Sequence, residues 1–449
     1  MNVILVVSDT FRYDHMGANG NRRIVTPNLD RFAKEALVFD RCYPASFPTI
    51  PARADIHTGR LTFTYRGWQP LAQEEVTLAQ TLHDGGYNTM AVVDVPFFAR
   101  EGYGYDRGFD DFVYVRGQRA GAEMANTVRE RRYEVDHCAP GTFFTAERWL
   151  QQHYKEKFFL YVDAWDPHEP WDAPNWYTEI YRPDYDGRAV IPPYGKWKEA
   201  GMKKEDVETG HDCYCGEITM VDRWFGRLMD TLKLLRIEDE TTVIFTSDHG
   251  FYFGEHGYFG KSVMDQQPVL ALREFTPAAQ FFRSPLYEEV THVPLMIRSP
   301  GAPPGRKDSL VSVSDIMPTI LDFAGVPIPK TVQSSSLVPL VEGKAKAVHD
   351  SVVTSMPLYN AGEHTRVVDQ FDRRIAEVSP STITSKNWTL LYAVKGEPVE
   401  LYDLASDPRQ EENVFEAHKD VAKKLHAEFL DCLRKNKAEK RLIEARVGF

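Results

Sequence analysis

Thr242-Val243-Ile244-Phe245-Thr246-Ser247-Asp248-His249-Gly250 is an apolar, β-branched run that ends in a hydroxyl, a carboxylate, an imidazole and a glycine. The first half reads as a buried strand and the second as the polar turn at its carboxyl end, where Gly250 lets the backbone swing away. The amino-terminal stretch repeats this arrangement: Val3-Ile4-Leu5-Val6-Val7 runs into Ser8-Asp9-Thr10. Outward from these two strands, helix-like Asn28–Ala36 and Thr77–Gly85 precede strand-like Asn88–Val93. Helix-like Ala146–His153 precedes strand-like Lys157–Asp163, and helix-period apolars over Ile218–Leu235 lead into the quoted strand. Val293–Ile297 and a short helix, Asp315–Ala324, continue the series. Such alternation predicts an α/β sandwich around a large, mostly parallel sheet, which carries chemistry at the carboxyl ends of its strands.

The character changes after about Gly343. Ser351–Ser355, Trp388–Ala393 and Glu400–Leu404 read as short antiparallel strands, and Val421, Leu425, Phe429 and Leu433 recur every four residues, as in an amphipathic helix. The expected organisation is a catalytic domain over 1–345 and a smaller antiparallel sheet-plus-helix subdomain over 346–449. Pro-rich Asp184–Pro193 and the segment Asp265–Pro285 read as long surface excursions.

Composition excludes several classes. The 449 residues carry 53 Lys and Arg against 65 Asp and Glu, a net charge of −12. That balance argues against nucleic acid, which needs a cationic footprint, while a metal or a few local cations still allow a small anionic substrate. No apolar run reaches the roughly 18 residues of a membrane span. A strand follows Met1 almost at once, where a secretory leader would place its basic and apolar regions, so a cytoplasmic protein is expected. The five cysteines are odd in number and form no CxxC, so neither a disulfide framework nor a zinc ribbon is expected. A homo-oligomer is compatible with the sequence.

Four clusters carry chemistry. Asp9 and the Asp248-His249 pair stand at strand ends, where carboxylate and imidazole suit a divalent metal. Thr49-Ile50-Pro51-Ala52-Arg53 places a hydroxyl before a helix-starting proline with an arginine one turn on. The helix amino end and Arg53 favour an anion there. Thr49 is either a nucleophile or simply a helix cap. Asp166-Pro167-His168 sets an imidazole on a loop after the strand ending near Val162, a candidate general acid. Beyond Asp248 lie Glu255-His256-Gly257 and Lys261. Asp14 and His15 read as ordering the first loop, and His211 as preceding a helix, Tyr214–Leu235.

In this order the clusters resemble the sulfatase family of the alkaline phosphatase superfamily. The resemblance rests on strand-end Asp9, the P-x-R…TGR block Pro51–Arg60, the D-P-H-x-P loop Asp166–Pro170 and the S-D-H-G…G-E-H-G…G-K block Ser247–Lys261. It continues through His292-Val293-Pro294-Leu295 and Asp315–Gly325, and returns at Glu400-Leu401-Tyr402-Asp403-Leu404, Asp407-Pro408 and Glu412-Asn413. It implies the family's α/β fold and one divalent ion (Ca, Mn, Mg or Zn) held by Asp9, Asp248 and His249, with Thr49 as nucleophile also touching the metal. It further implies that Arg53 stabilises Thr49, and that His168 and Lys261 contact the anionic head or leaving group of a small ester.

The sequence departs from the family pattern. Sulfatases carry at the Thr49 position a Cys or Ser that is oxidised to formylglycine. Threonine, with its β-methyl, is not converted to that aldehyde, and a sulfated threonine would be an alkyl sulfate, hard to hydrolyse. A phosphothreonine can be opened by water at phosphorus, so phosphate monoesters or diesters are the expected substrates. The alternatives are a sulfate-ester hydrolase working without formylglycine and an inactive binding relative. Thr10 replaces a further ligand found in many relatives. His168, His211 and His292 are candidates for a second ion but lack the D-x-x-x-H spacing, so one metal is expected. Val92–Phe98 lacks a Lys or His that many sulfatases place there; Asp94 lies in that segment, a candidate to face the pocket.

Overall fold

The computed structural model describes residues 1–96, 98, 102–115, 133–263, 283–358 and 379–449. The excursion beginning at Asp265 lies outside the described residues as far as position 282. In chain order the strands are β1 (Asn2–Ser8), β2 (Leu37–Tyr43), β3 (Asn88–Val93), β4 (Asp111–Tyr114), β5 (Phe158–Ala164), β6 (Gly195–Lys196), β7 (Thr241–Thr246) and β8 (Tyr252–Phe253). They continue as β9 (Tyr258–Gly260), β10 (Val293–Arg298), β11 (Gly305–Ser312), β12 (Ser351–Thr354), β13 (Ser381–Ser385), β14 (Trp388–Tyr392) and β15 (Glu400–Asp403).

Eight of them form one sheet in the order β11-β2-β10-β7-β1-β5-β3-β4, in which only β10 runs against its neighbours. Helices cover both faces. Alternate residues of β1 therefore enter different cores: Val3, Leu5 and Val7 pack with the helices Thr49–Thr58, Leu78–Asp84 and Ile316–Ala324. Ile4 and Val6 pack with Pro27–Glu35, Cys138–His153 and Lys204–Leu235. Burial on both sides explains why β1, β5 and β7 are continuous apolar runs rather than alternating ones.

A second sheet, β12-β13-β14-β15, is antiparallel throughout. Leu425, Phe429 and Leu433 of the helix Lys419–Lys435 pack on its Ile383, Leu390 and Leu401, as the four-residue spacing predicts. Ala45 and Phe63 join this core, and the Ser355 amide donates to the Ala45 carbonyl while the Phe47 amide donates to that of Ser355. The C-terminal sheet thus braces the chain just ahead of Thr49. Among the described residues, no helix is long and apolar enough to cross a membrane.

Two helices extend beyond the apolar periodicity. The helix around Ile218 starts at Lys204, so His211 lies inside it rather than before it. Its first turns are polar, and Gly210 is a close approach rather than a break: a Cβ there would sit 2.7 Å from Phe259. The helix containing Ala146–His153 begins at Cys138, with Pro140 and Gly141 in its first turn, where a proline costs no helical hydrogen bond.

Candidate active site

The carboxyl ends of β7, β1 and β5 lie side by side, with Val7 opposite both Thr246 and Asp163. Asp9 and Asp248 therefore emerge together. The Thr10 amide donates to Asp248 Oδ1 at 3.0 Å, and the Thr10 carbonyl accepts the Tyr214 hydroxyl at 2.8 Å. These bonds hold Thr10 at a φ of 62°, a conformation rare for a β-branched residue.

Asp9, Asp248 and His249 are fully buried, and their ligand atoms lie within 4.8 Å of one another. His249 donates through Nδ1 to the Gly250 carbonyl at 3.0 Å, which leaves the Nε2 lone pair facing the carboxylates. Nε2 is 3.4 Å from Asp248 Oδ2 and 4.0 Å from Asp9 Oδ1. Burial, opposed by Asp248, pushes this imidazole down to about 3, so it is neutral. Burial and the Asp248 charge raise Asp9 above the usual carboxylate range. Asp9 Oδ2 lies 3.0 Å from Arg53 Nη1 yet is in hydrogen-bond geometry with nothing. Two crowded carboxylates, one with an unsatisfied oxygen, and a neutral imidazole make a donor set that fits a divalent cation.

Thr49 opens the helix Thr49–Thr58 behind Pro48. Its Oγ1 lies 3.3 Å from His249 Nε2. No side-chain cap closes this helix end, so the hydroxyl points at the cluster rather than serving as a cap. One turn on, Arg53 is fully buried. Its Nη1 bonds Asp248 Oδ2 and, at 3.3 Å, the Thr49 carbonyl.

The other face of Arg53 meets Asp163, which opens the sequence cluster Asp163–Pro170 but was given no role there. The guanidinium forks onto it, Nε to Oδ2 at 2.8 Å and Nη2 to Oδ1 at 2.7 Å. Asp163 lies at the carboxyl end of a third apolar strand, one residue inside β5, while Asp9 and Asp248 lie just beyond β1 and β7; that placement was the available signal.

Lys261 Nζ donates to His168 Nε2, and His168 Nδ1 donates to the Glu169 carbonyl. Burial and Lys261 hold this imidazole well below its ordinary value. His168 is therefore a neutral imidazole that accepts from Lys261. Asp94 accepts from Thr142 Oγ1 at 2.9 Å and from the Trp165 amide; it ties a helix to the loop after β5. His168, His211 and His292 do not gather: His292 bonds the Asp40 carbonyl and stacks on Tyr13, and His211 bonds His15.

The profile described as Sulfatase matches residues 1–326, and one described as N-sulphoglucosamine sulphohydrolase, C-terminal, matches 279–436. An arylsulfatase of Clostridium perfringens is 26% identical, spanning 97% of this chain and 93% of its own length. The multifunctional alkaline phosphatase superfamily protein PehA of Trinickia caryophylli is also 26% identical, spanning 91% of each. A phosphonate monoester hydrolase structure from Agrobacterium radiobacter superposes with a TM-score of 0.74 at 22% identity, over 96% of this chain and 95% of that one.

Proposed function

The chain belongs to the sulfatase family of the alkaline phosphatase superfamily, and on that premise we propose that it hydrolyses a phosphoric ester through Thr49 and a phosphothreonine intermediate. Asp9, Asp248, His249 and Thr49 Oγ1 would hold a divalent cation. When bound, that cation lowers the pKa of the hydroxyl and offsets the charge of the ester. Thr49 Oγ1 loses its proton to solvent and attacks phosphorus as the bond to the leaving oxygen breaks. Lys261, backed by His168, gives its proton to that oxygen. Arg53 holds the Thr49 carbonyl and keeps positive charge beside the nucleophile. Water then attacks phosphorus and frees Thr49.

The observation that carries this reading is the Thr49 hydroxyl, 3.3 Å from His249 Nε2. A threonine in that place can be phosphorylated and released, whereas it cannot become an aldehyde. Charge narrows the substrate. Asp9, Asp163 and Asp248 bring three negative charges, Arg53 and Lys261 two positive. With a divalent cation bound and Thr49 ionised for attack the site would carry no net charge, which suits a singly charged diester better than a doubly charged monoester.

The test is turnover of p-nitrophenyl phosphate, bis-p-nitrophenyl phosphate and p-nitrophenyl sulfate with Mn²⁺ or Zn²⁺, beside Thr49→Ala. Metal-dependent phosphoester turnover abolished by the substitution supports the reading. Sulfate turnover exceeding phosphate turnover overturns it.

A further inference from the structure

Two imidazoles and a thiol converge between the first loop and the long helix, where the His15 ring meets Tyr214 edge-on. His15 Nε2 lies 2.8 Å from His211 Nε2, and Cys215 Sγ lies 3.8 Å from the same His211 atom. All three ligand atoms fall within 4.8 Å of one another. His15 and Cys215 are buried, and His211 is partly open. We infer that His15, His211 and Cys215 form a second metal site, built for a zinc-class cation, with solvent in the fourth position.

The donor set is the first argument. Two imidazoles and a thiolate suit a borderline-soft cation, unlike the carboxylate-rich Asp9 cluster. Geometry is the second. His211 and Cys215 stand four residues apart in the helix Lys204–Leu235 and so share one face, while His15 approaches from the loop after β1. Tetrahedral zinc separates a nitrogen and a sulfur ligand by about 3.6 Å and two nitrogens by about 3.3 Å. Cys215 Sγ is already near that spacing from His211 Nε2, and the imidazoles need part by only about 0.5 Å.

The surroundings are the third argument. Asp14 Oδ1 accepts His15 Nδ1 at 2.7 Å, the outer carboxylate that commonly orients a ligating histidine and frees its Nε2 lone pair. Asp14 is held in turn by Arg12, through Nε at 2.8 Å and Nη2 at 2.7 Å. Arg12, Arg23 and Arg182 pair with Asp14, Glu255 and Asp212 around the cluster, so the charges beside it are already balanced.

Binding requires two proton movements. Cys215, whose thiol burial raises to about 12, releases its proton to solvent as the metal–sulfur bond forms. His211 now donates Nε2–H to His15, with Arg23 Nη1 3.4 Å from its Nδ1; its proton shifts to Nδ1, and the half-exposed Arg23 turns to solvent while keeping Asp212. The bound ion would pin the first loop to the long helix beside Tyr214. That residue's hydroxyl already joins the two, through the Thr10 carbonyl and the Arg12 amide.

The test uses the full chain, stripped by chelation and titrated with Co²⁺ as a spectroscopic probe. The expected result is a thiolate-to-cobalt charge-transfer band that Cys215→Ser and His211→Asn both abolish and Asp248→Asn leaves intact, with bound zinc falling by one equivalent in the first two variants. His211→Asn serves if Cys215→Ser does not fold. Absence of the band in the unaltered chain, or its persistence in folded Cys215→Ser, overturns the inference. Because the readout is metal binding and not turnover, it is independent of whether Thr49 acts on phosphorus.

Discussion

Arg53 grips Asp163 with both prongs of its guanidinium, at 2.8 and 2.7 Å, and neither side chain has exposed surface. The same guanidinium also reaches Asp9 and Asp248. One cation is thus shared among three carboxylates, and on the proposed reading Asp163 would set how much of its charge remains for a substrate.

Asp163→Asn removes that charge with little change of shape. It should raise turnover of p-nitrophenyl phosphate relative to bis-p-nitrophenyl phosphate on the order of tenfold, about 1.4 kcal/mol. An unchanged ratio of kcat/KM values would refute the charge argument and leave the Thr49 mechanism standing. Asp163→Ala leaves Nε and Nη2 of Arg53 without their buried acceptor, while Nη1 keeps Asp9 and Asp248, and should cost about 1–3 kcal/mol in urea unfolding.

Thr49→Ala should reduce phosphoester turnover at least about 10³-fold while leaving the melting temperature nearly unchanged, since the hydroxyl caps no helix. Thr49→Ser should keep activity. Acid quench of the unaltered enzyme during turnover should trap phosphate on Thr49, detectable by peptide mass, and Thr49→Ala should trap none.

Lys261→Ala should slow esters with poor leaving groups more than p-nitrophenyl esters, because a nitrophenolate leaves without a proton. A loss of about 10²–10⁴-fold on an alkyl ester, with a smaller loss on the activated one, would mark Lys261 as the proton donor. Equal losses on both would assign it to substrate binding instead.

His349 links the approach to β12 with the helix Ile316–Ala324. Its Nε2 lies 2.8 Å from Asp315 Oδ2, and Asp315 also accepts the Ser312 and Ser335 amides. Burial lowers the imidazole, but the charge and hydrogen bond of Asp315 outweigh it, and the folded value is raised above the ordinary 6.5. The folded state therefore binds the proton more tightly than the unfolded one. The stabilisation is complete below pH 6.5 and is lost as pH rises through the higher folded value. Thermal melts from pH 6 to 9 should fall more steeply for the unaltered chain than for His349→Gln.

The sequence by itself determined the sheet and the order of the clusters. Each of β1, β5 and β7 is an apolar run ending in a polar turn, and such a pattern is local: burial on both faces selects the run, and the turn begins where burial stops. Asp9, Asp248 and His249 could be placed at strand ends in this way, whereas Thr49 and Arg53 take their roles from the family resemblance; the structure brings the five together. Strands β2 and β11 carry charges within their length, among them Asp40, Arg41 and Asp308, and lacked that pattern. The tertiary structure alone decided the pairings. Arg53 and Asp163 are 110 positions apart, His15 and His211 are 196 apart, and His168 is set as an acceptor by Lys261, 93 residues on. A charge or an imidazole takes its role from the group it faces within about 3 Å. Over such separations the facing group is set by packing of whole elements, which no local stretch of residues encodes.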